Sequence, residues 1–139
     1  MKIFDKLKKK KEINKSNEKI SEPINWPDHV VTLDKNNFTD FIYKYPLVLV
    51  DFWAPWCAPC KAMSPRIRKV STIYKGKVAF GKVNTEENQD ISKKYKVRGI
   101  PHLVFFSYGK KIYNITGLGP VSDIKDIIED LLKNKVRKR

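Results

Sequence analysis

The sequence predicts an α/β domain with one mixed sheet of about five strands, flanked by four helices on its two faces. Short apolar runs of strand length alternate with longer segments in which apolar residues recur at helical spacing. Their order, β-α-β-α-β-α-β-β-α, ends on two strands joined by a glycine turn and a last helix. With 139 residues, of which 41% are hydrophobic, the chain is long enough for one domain with a real core.

The pattern begins with a strand, a helix and a second strand. A short strand is predicted at residues 29–33, and Asp34 is placed to cap a helix that continues to about residue 43. Residues 47–53 are almost continuously apolar, which is typical of a strand with both faces buried. We therefore expect this second strand at the centre of the sheet.

A long helix and a third strand follow. Residues 58–74 have apolar side chains at helical spacing, and Pro65 inside this segment predicts a kink. The turn at Gly76 precedes a strand predicted at residues 77–84. The apolar face of the helix comprises Met63, Ile67, Val70 and Ile73.

The pattern closes with a short helix, a hairpin and a last helix. Acidic residues begin a helix predicted at residues 86–95. Strands at 103–107 and 111–116 flank a turn at Gly109 and predict a β-hairpin. An amphipathic helix is predicted at 121–133, and its inward face comprises Ile124, Ile127, Ile128, Leu131 and Leu132.

Positive charge is concentrated near the two ends of the chain. The net charge is +14. Residues 1–25 carry eight Lys against four acidic residues, and residues 133–139 carry five Lys or Arg and no acid. We therefore expect a basic, disordered N-terminal extension at residues 1–25, a folded domain at 26–134 and a basic tail at 135–139.

The same composition bears on location and on large partners. No apolar run exceeds about four residues, which predicts no transmembrane helix, and no apolar stretch follows the basic start as in a secretory signal. A cytoplasmic protein is therefore expected. The basic ends are interpreted as solvated, with weak contact to an anionic surface as the alternative. Neither end interleaves aromatic residues with its charges, so specific binding to nucleic acid is not expected.

The two cysteines of the chain, Cys57 and Cys60, lie between the central strand and the long helix. At the start of a helix, free backbone N–H groups and the positive end of the dipole stabilise a thiolate. Two intervening residues also allow the second cysteine to reach back and close a disulfide. The pattern therefore indicates dithiol–disulfide exchange.

Three other interpretations of the cysteine pair remain open. A structural disulfide would close a ring of only four residues, which contributes about 2 kcal/mol against about 3 for a fifteen-residue loop. A zinc site needs about four ligands, and beyond the thiols the chain offers only His29 and His102. The third is a reduced pair without function. Redox chemistry is favoured because Trp-Cys-x-Pro-Cys rarely arises by chance between a strand and a helix.

From about residue 28 to residue 133, the chain resembles the thioredoxin family. Several separate motifs occur in the family's order, which makes the resemblance specific. The resemblance implies the thioredoxin fold for the sheet and helices predicted above. The matching residues are 50–61 with the sequence Val-Asp-Phe-Trp-Ala-Pro-Trp-Cys-Ala-Pro-Cys-Lys, Pro65, residues 82–84, residues 97–101, Gly109 and Gly117.

The resemblance implies a role for each of four catalytic residues. Cys57 attacks a substrate disulfide to form a mixed disulfide, which Cys60 resolves. Asp51 is implied to lie buried beneath the cysteines, where desolvation raises its pKa and it takes the Cys60 proton through water, with Lys82 as its neighbour. From the residues alone, an Asp51 side chain that points to solvent is equally open.

The resemblance also implies a substrate-binding site. Ile100 and Pro101 form the family's cis-proline loop, which lies beside the cysteines and offers backbone groups to an extended substrate. Trp56, Pro59 and Gly117 are implied to bind substrate as well.

Two residues depart from the family's usual pattern. Ala58 replaces the glycine that commonly follows the first cysteine, and alanine is acceptable at a helix start. His102 follows the cis-proline where the family usually has threonine. We interpret His102 as a surface histidine; the alternative is an imidazole that tunes the Cys57 thiolate or selects substrates.

We therefore expect a monomeric enzyme that reduces protein disulfides through Cys57 and Cys60, without a cofactor or a metal ion. Its expected partners are protein disulfide substrates and a thioredoxin reductase of unknown type. One alternative is a disulfide isomerase or oxidase, against which Pro59 and Ile100 argue. Another is a thioredoxin-fold binding subunit tethered by its basic tails.

Overall fold

The computed structural model describes residues 23–137, which form five strands and four helices. One sheet contains all five strands in the spatial order β1-β3-β2-β4-β5. The elements are β1 Val31–Thr32, α1 Phe38–Lys44, β2 Val48–Trp53, α2 Ala58–Ile73, β3 Ala79–Asn84, α3 Gln89–Lys94, β4 His102–Ser107, β5 Lys110–Thr116 and α4 Val121–Asn134. The predicted order of elements and the mixed sheet are confirmed.

The central strand β2 joins the parallel and antiparallel parts of the sheet. It pairs in parallel with β3 on one side and antiparallel with β4 on the other. The parallel neighbours β1 and β3 lie on one side of it, and the hairpin of β4 and β5 lies on the other. The position predicted from its continuous apolar run is therefore confirmed.

Alternate residues of β2 enter two separate cores on the two faces of the sheet. Leu49 packs with the buried faces of α2 and α4, whereas Val48, Val50 and Phe52 pack on the opposite face with α1. This alternation follows from the two-residue period of a strand. By the same alternation Asp51 shares the face of Leu49, where it is buried beside α2.

Two helices begin later than predicted because asparagine and aspartate side chains form turns before them. The prediction that Asp34 caps α1 is wrong: Asp34 Oδ1 accepts the N–H of Asn36 at 2.8 Å, within a turn, and Asn37 occupies the cap position. Before α3, Asn84 Oδ1 likewise accepts the N–H of Glu86 at 2.9 Å. Such local bonds compete with the first helical turn.

Both ends of the described chain pack against the domain. Ile24 and Trp26 contact the core that includes α1, and the Trp26 and Tyr45 rings lie 5.1 Å apart. At the other end, the N–H of Arg137 donates to Ser107 Oγ at 2.7 Å. The predicted extension at residues 1–25 and tail at 135–139 otherwise lie outside the described residues.

Candidate active site

The two cysteines form a disulfide at the junction between β2 and α2. Cys57 occupies the N-cap position of α2, and Cys60 lies in the first turn, with 5.2 Å between the two Cα atoms. Pro59 lies in the same turn, where the helix does not require its missing N–H. The spacing therefore places both sulfurs at the positive end of a 16-residue helix.

The Cys57 sulfur occupies the position of a helix-capping acceptor. The N–H of Cys60 donates to Cys57 Sγ at 3.2 Å, and the N–H of Lys61 donates to the Cys57 carbonyl at 3.1 Å. After reduction, the Cys60 N–H and the helix dipole stabilise a negative charge on this sulfur.

Asp51 is a buried carboxylate close to Cys60. Its side chain is 4% exposed, and Oδ1 has no hydrogen-bond partner within residues 23–137. Desolvation raises the pKa of Asp51 to about 7, against the opposing effect of the Lys82 ammonium, which lowers it. Asp51 and Lys82 are paired in register across β2 and β3. The carboxyl is therefore poised to gain or lose a proton near neutral pH.

A cavity connects this carboxylate with Cys60. Its volume is about 140 Å³, and it is lined by Asp51, Trp53, Cys60, Lys61, Ser64 and Lys82. A site of this size with several polar groups can hold water. Sequence reasoning missed Ser64, although its position one helical turn after Cys60 places both on the same face of α2.

The loop before β4 lies against the first cysteine. The Ile100–Pro101 peptide bond is cis, and the Ile100 carbonyl oxygen is 3.9 Å from Cys57 Sγ. The N–H of Gly117 donates to the Pro101 carbonyl at 2.8 Å. Gly117 has φ +106°, a conformation that favours glycine. The structure thus brings Ile100, Pro101 and Gly117 together beside the disulfide.

Trp56 provides an exposed aromatic surface next to Cys57. Its side chain is 68% exposed, and its indole N–H donates to Glu86 Oε2 at 2.6 Å. Glu86, just after the end of β3, is a second residue that sequence reasoning missed. A side chain 30 residues away in sequence gives no local signal of this contact.

The interpretation of His102 as a surface histidine is wrong. The residue is 6% exposed because β4 lies inside the sheet, between β2 and β5. Its Nδ1 and Thr116 Oγ1 share a hydrogen bond of 2.7 Å, and its Nε2 has no partner among the described residues. Burial, with a smaller contribution from Lys111, lowers the pKa of His102.

The structure brings all nine residues of the predicted site to one end of the sheet or to the cavity behind it. A cysteine pair at a helix start, a cis-proline loop beside it and a buried carboxyl behind it define a thiol–disulfide oxidoreductase. Within residues 23–137, no group of three or more His, Cys, Asp or Glu side chains is arranged to hold a metal ion. No helix in that range is long and apolar enough to cross a membrane.

Comparison with known proteins identifies the family. The family model "Thioredoxin" matches residues 29–130. Thioredoxin 1 of Nostoc sp. is 40% identical over 82 residues, which are 59% of this chain and 77% of that protein. The chloroplastic M-type thioredoxin of Spinacia oleracea is 38% identical over 104 residues, which are 74% of this chain and only 58% of that protein. The chain therefore belongs to the thioredoxin family, and the predicted resemblance is confirmed.

A solved structure supports the same assignment. A mutant thioredoxin from Halobacterium salinarum matches with a TM-score of 0.71 and 31% identity. The match covers 76% of this chain and 93% of that protein. The predicted thioredoxin fold is confirmed.

Proposed function

We propose that this protein reduces disulfide bonds in client proteins by dithiol–disulfide exchange. The observation that carries the proposal is the hydrogen bond from the Cys60 N–H to Cys57 Sγ, because it favours a thiolate on Cys57 rather than on Cys60. The Cys57 thiolate attacks the client disulfide; the client S–S bond breaks, and one client sulfur leaves as a thiolate. Cys60 then attacks Cys57 and releases the second client sulfur, so two electrons pass to the client.

Thiolate stabilisation supplies only part of the rate. At pH 7, lowering a thiol pKa from about 8.5 to about 7 raises the thiolate fraction roughly sixteen-fold, and reduced nucleophilicity offsets about five-fold of this gain. The net gain is therefore about three-fold. Positioning of the client disulfide must supply much of the remaining rate enhancement.

We assign that positioning to the surface around Cys57. Trp56 and Pro59 offer apolar contacts to an extended client segment, and Ile100 offers its backbone. Pro101 and Gly117 form the adjacent surface, because the Gly117 N–H and the Pro101 carbonyl are bonded to each other. The Ile100 carbonyl, 3.9 Å from Cys57 Sγ, supports this assignment because a client bonded there lies within reach of the sulfur.

Asp51 acts in this proposal as the proton acceptor for Cys60. A general base works best when its pKa is near the working pH, and the Asp51 pKa of about 7 meets that condition. The cavity of about 140 Å³ between the two groups allows a water to carry the proton. Lys82 limits the upward shift of the Asp51 pKa, and with Asp51 completes the catalytic set.

The remaining parts of the proposal concern the setting of the reaction. Each cycle leaves the Cys57–Cys60 disulfide, so a thioredoxin reductase must return two electrons. A dithiol reductase requires a compartment that keeps thiols reduced, which supports a cytoplasmic location.

We further propose that the protein is a monomer with a folded domain at residues 26–134. Its basic extension at residues 1–25 and its basic tail at 135–139 make at most weak contact with anionic surfaces.

Insulin reduction with dithiothreitol as electron donor tests the activity. The full chain should accelerate the precipitation of insulin B chains in proportion to its concentration. A Cys57→Ser/Cys60→Ser double variant is the matched control and should give the dithiothreitol background. Equal rates for the two proteins would refute the proposal.

A further inference from the structure

His102 is a buried titratable side chain that the proposed exchange reaction does not use. It follows Pro101 directly and is paired in register with Thr116, the residue before Gly117. Pro101 and Gly117 are both assigned to the client-binding surface. His102 and Thr116 therefore lie immediately behind two segments of that surface.

One hydrogen bond ties the imidazole to the neighbouring strand. His102 Nδ1 and Thr116 Oγ1 lie 2.7 Å apart. Either tautomer of the neutral ring keeps this bond, because Nδ1–H can donate to the hydroxyl oxygen and an unprotonated Nδ1 can accept the hydroxyl proton. Nε2 is buried and has no partner among residues 23–137, so Thr116 is the side chain to which the ring is hydrogen-bonded across β4 and β5.

Two further contacts join the same segments. The N–H of Gly117 donates to the Pro101 carbonyl at 2.8 Å. A Cβ atom added at Gly99 would lie 3.0 Å from the Thr116 methyl group, so the loop backbone packs directly on Thr116. One residue, Thr116, therefore contacts the cis-proline loop through its methyl group and His102 through its hydroxyl.

We propose that His102 is a positioning residue that fixes the cis-proline loop against residues 116–117 and so presets the client-binding surface. We call the His102–Thr116 and Gly117–Pro101 hydrogen bonds together the clasp. The inference rests on the proposed function, because that function makes this surface the place where a client binds. Because a preset surface loses less freedom when a client binds, the clasp favours client binding more than the chemical step.

Variants on both sides of the clasp test this role in insulin kinetics with the full chain. Thr116 is exposed, so Thr116→Val removes the hydroxyl with little risk to folding. Thr116→Val and His102→Leu should each raise the KM for insulin about five-fold, the loss of one hydrogen bond of about 1 kcal/mol, with kcat within about two-fold. His102→Asn keeps an amide near the Nδ1 position that can donate to or accept from the Thr116 hydroxyl, and it should restore KM to within about two-fold of wild type.

Two controls distinguish an effect of the clasp from a general loss of stability and from a failure of the proposed activity. Thr39→Val, on the exposed side of α1, makes the same chemical change away from the clasp and should leave KM unchanged. Hydrogen exchange at the Gly117 amide needs no client and should be faster in Thr116→Val than in wild type. Unchanged exchange, or an unchanged insulin KM in Thr116→Val, would overturn the inference. If wild type reduces no insulin, the proposed function fails, and the exchange result still decides whether the clasp exists.

Discussion

The backbone N–H of Cys60 points at the sulfur of Cys57, 3.2 Å away, so that this sulfur is the side-chain cap of α2. The geometry distinguishes two otherwise similar thiols. Both sulfurs lie at the positive end of α2, but only Cys57 Sγ receives the hydrogen bond from the first helical turn. Cys60 instead lines the cavity that leads to Asp51. The pair is therefore arranged for an attack by Cys57 and a resolution by Cys60.

Serine variants of the two cysteines should behave differently. Cys57→Ser should reduce insulin turnover to the dithiothreitol background, because the stabilised thiolate is lost. Cys60→Ser should attack a client disulfide and remain joined to it, since no second thiol releases it. Mass spectrometry under non-reducing conditions detects the mixed disulfide. A client trapped on Cys60 in the Cys57→Ser variant would contradict the assignment.

Asp51→Asn should slow resolution of the mixed disulfide roughly ten- to a hundred-fold, because the proton acceptor for Cys60 is lost. Double-mixing stopped-flow tryptophan fluorescence, in which the reduced protein first attacks the client and the decay of the mixed disulfide is then followed, would measure this step. The attack by Cys57 on the client serves as the internal control and should change little. An unchanged resolution rate would remove Asp51 from the mechanism.

The same substitution should stabilise the fold in a pH-dependent way. The folded carboxyl, with a pKa of about 7, keeps its proton where the unfolded one, near 3.8, has lost it. The unfolded state therefore binds fewer protons, and wild type loses stability as the pH rises from about 4 to about 7. The full loss is about 4 kcal/mol. The unfolding temperature of Asp51→Asn should be higher than that of wild type at pH 8 and much closer to it at pH 4. A difference in unfolding temperature that does not change with pH would contradict the burial of Asp51.

Lys82→Met should raise the pKa of Asp51 above about 7. The Lys82 ammonium is the group that lowers this pKa, and methionine keeps much of the length of the side chain without its charge. Carboxyl ¹³C shifts of Asp51 followed against pH measure the effect. Lys77→Met removes an exposed charge before β3 and should leave the midpoint of the Asp51 titration unchanged. A midpoint that falls in Lys82→Met would show that another charge controls the carboxyl.

Removal of residues 1–22 should leave the unfolding temperature and the reduction of a small uncharged disulfide intact. A longer deletion through Trp26 is the matched comparison and should be destabilising, because Ile24 and Trp26 pack against the core. With acidic clients, loss of eight lysines should slow encounter. That difference should shrink above about 0.15 M salt, where the Debye length is about 8 Å. Loss of small-disulfide reduction in the shorter deletion would contradict a separate extension.

The alternation of elements and the cysteine site could be predicted because their signals are local. The apolar run before Trp53 and the spacing of Met63, Ile67 and Val70 each lie within one element. The placement of Ile73 on the same apolar face was wrong, because its side chain at the end of α2 is 47% exposed. The helix starts were less predictable, since Asp34 and Asn84 satisfy neighbouring N–H groups in turns before α1 and α3.

Contacts between distant segments account for the part of the site that the sequence did not reveal. Glu86 meets Trp56 across 30 residues, and His102 meets Thr116 across 14. His102 contacts the Phe52 ring on β2 and Thr116 on β5, and no local pattern around a single polar residue indicates these contacts. Ser64 is recognised as part of the site only through the cavity that it lines, which lies between residues of β2, β3 and α2.

The reduction potential of the Cys57–Cys60 pair tests the central claim most directly. The full chain can be equilibrated in buffers of reduced and oxidised dithiothreitol, and its thiols counted by alkylation and mass spectrometry. A protein-disulfide reductase of this family should have a potential of about −270 mV, so that electrons flow from the dithiol to clients. A potential above about −200 mV, toward the values of disulfide isomerases and oxidases, would contradict the proposed direction of exchange.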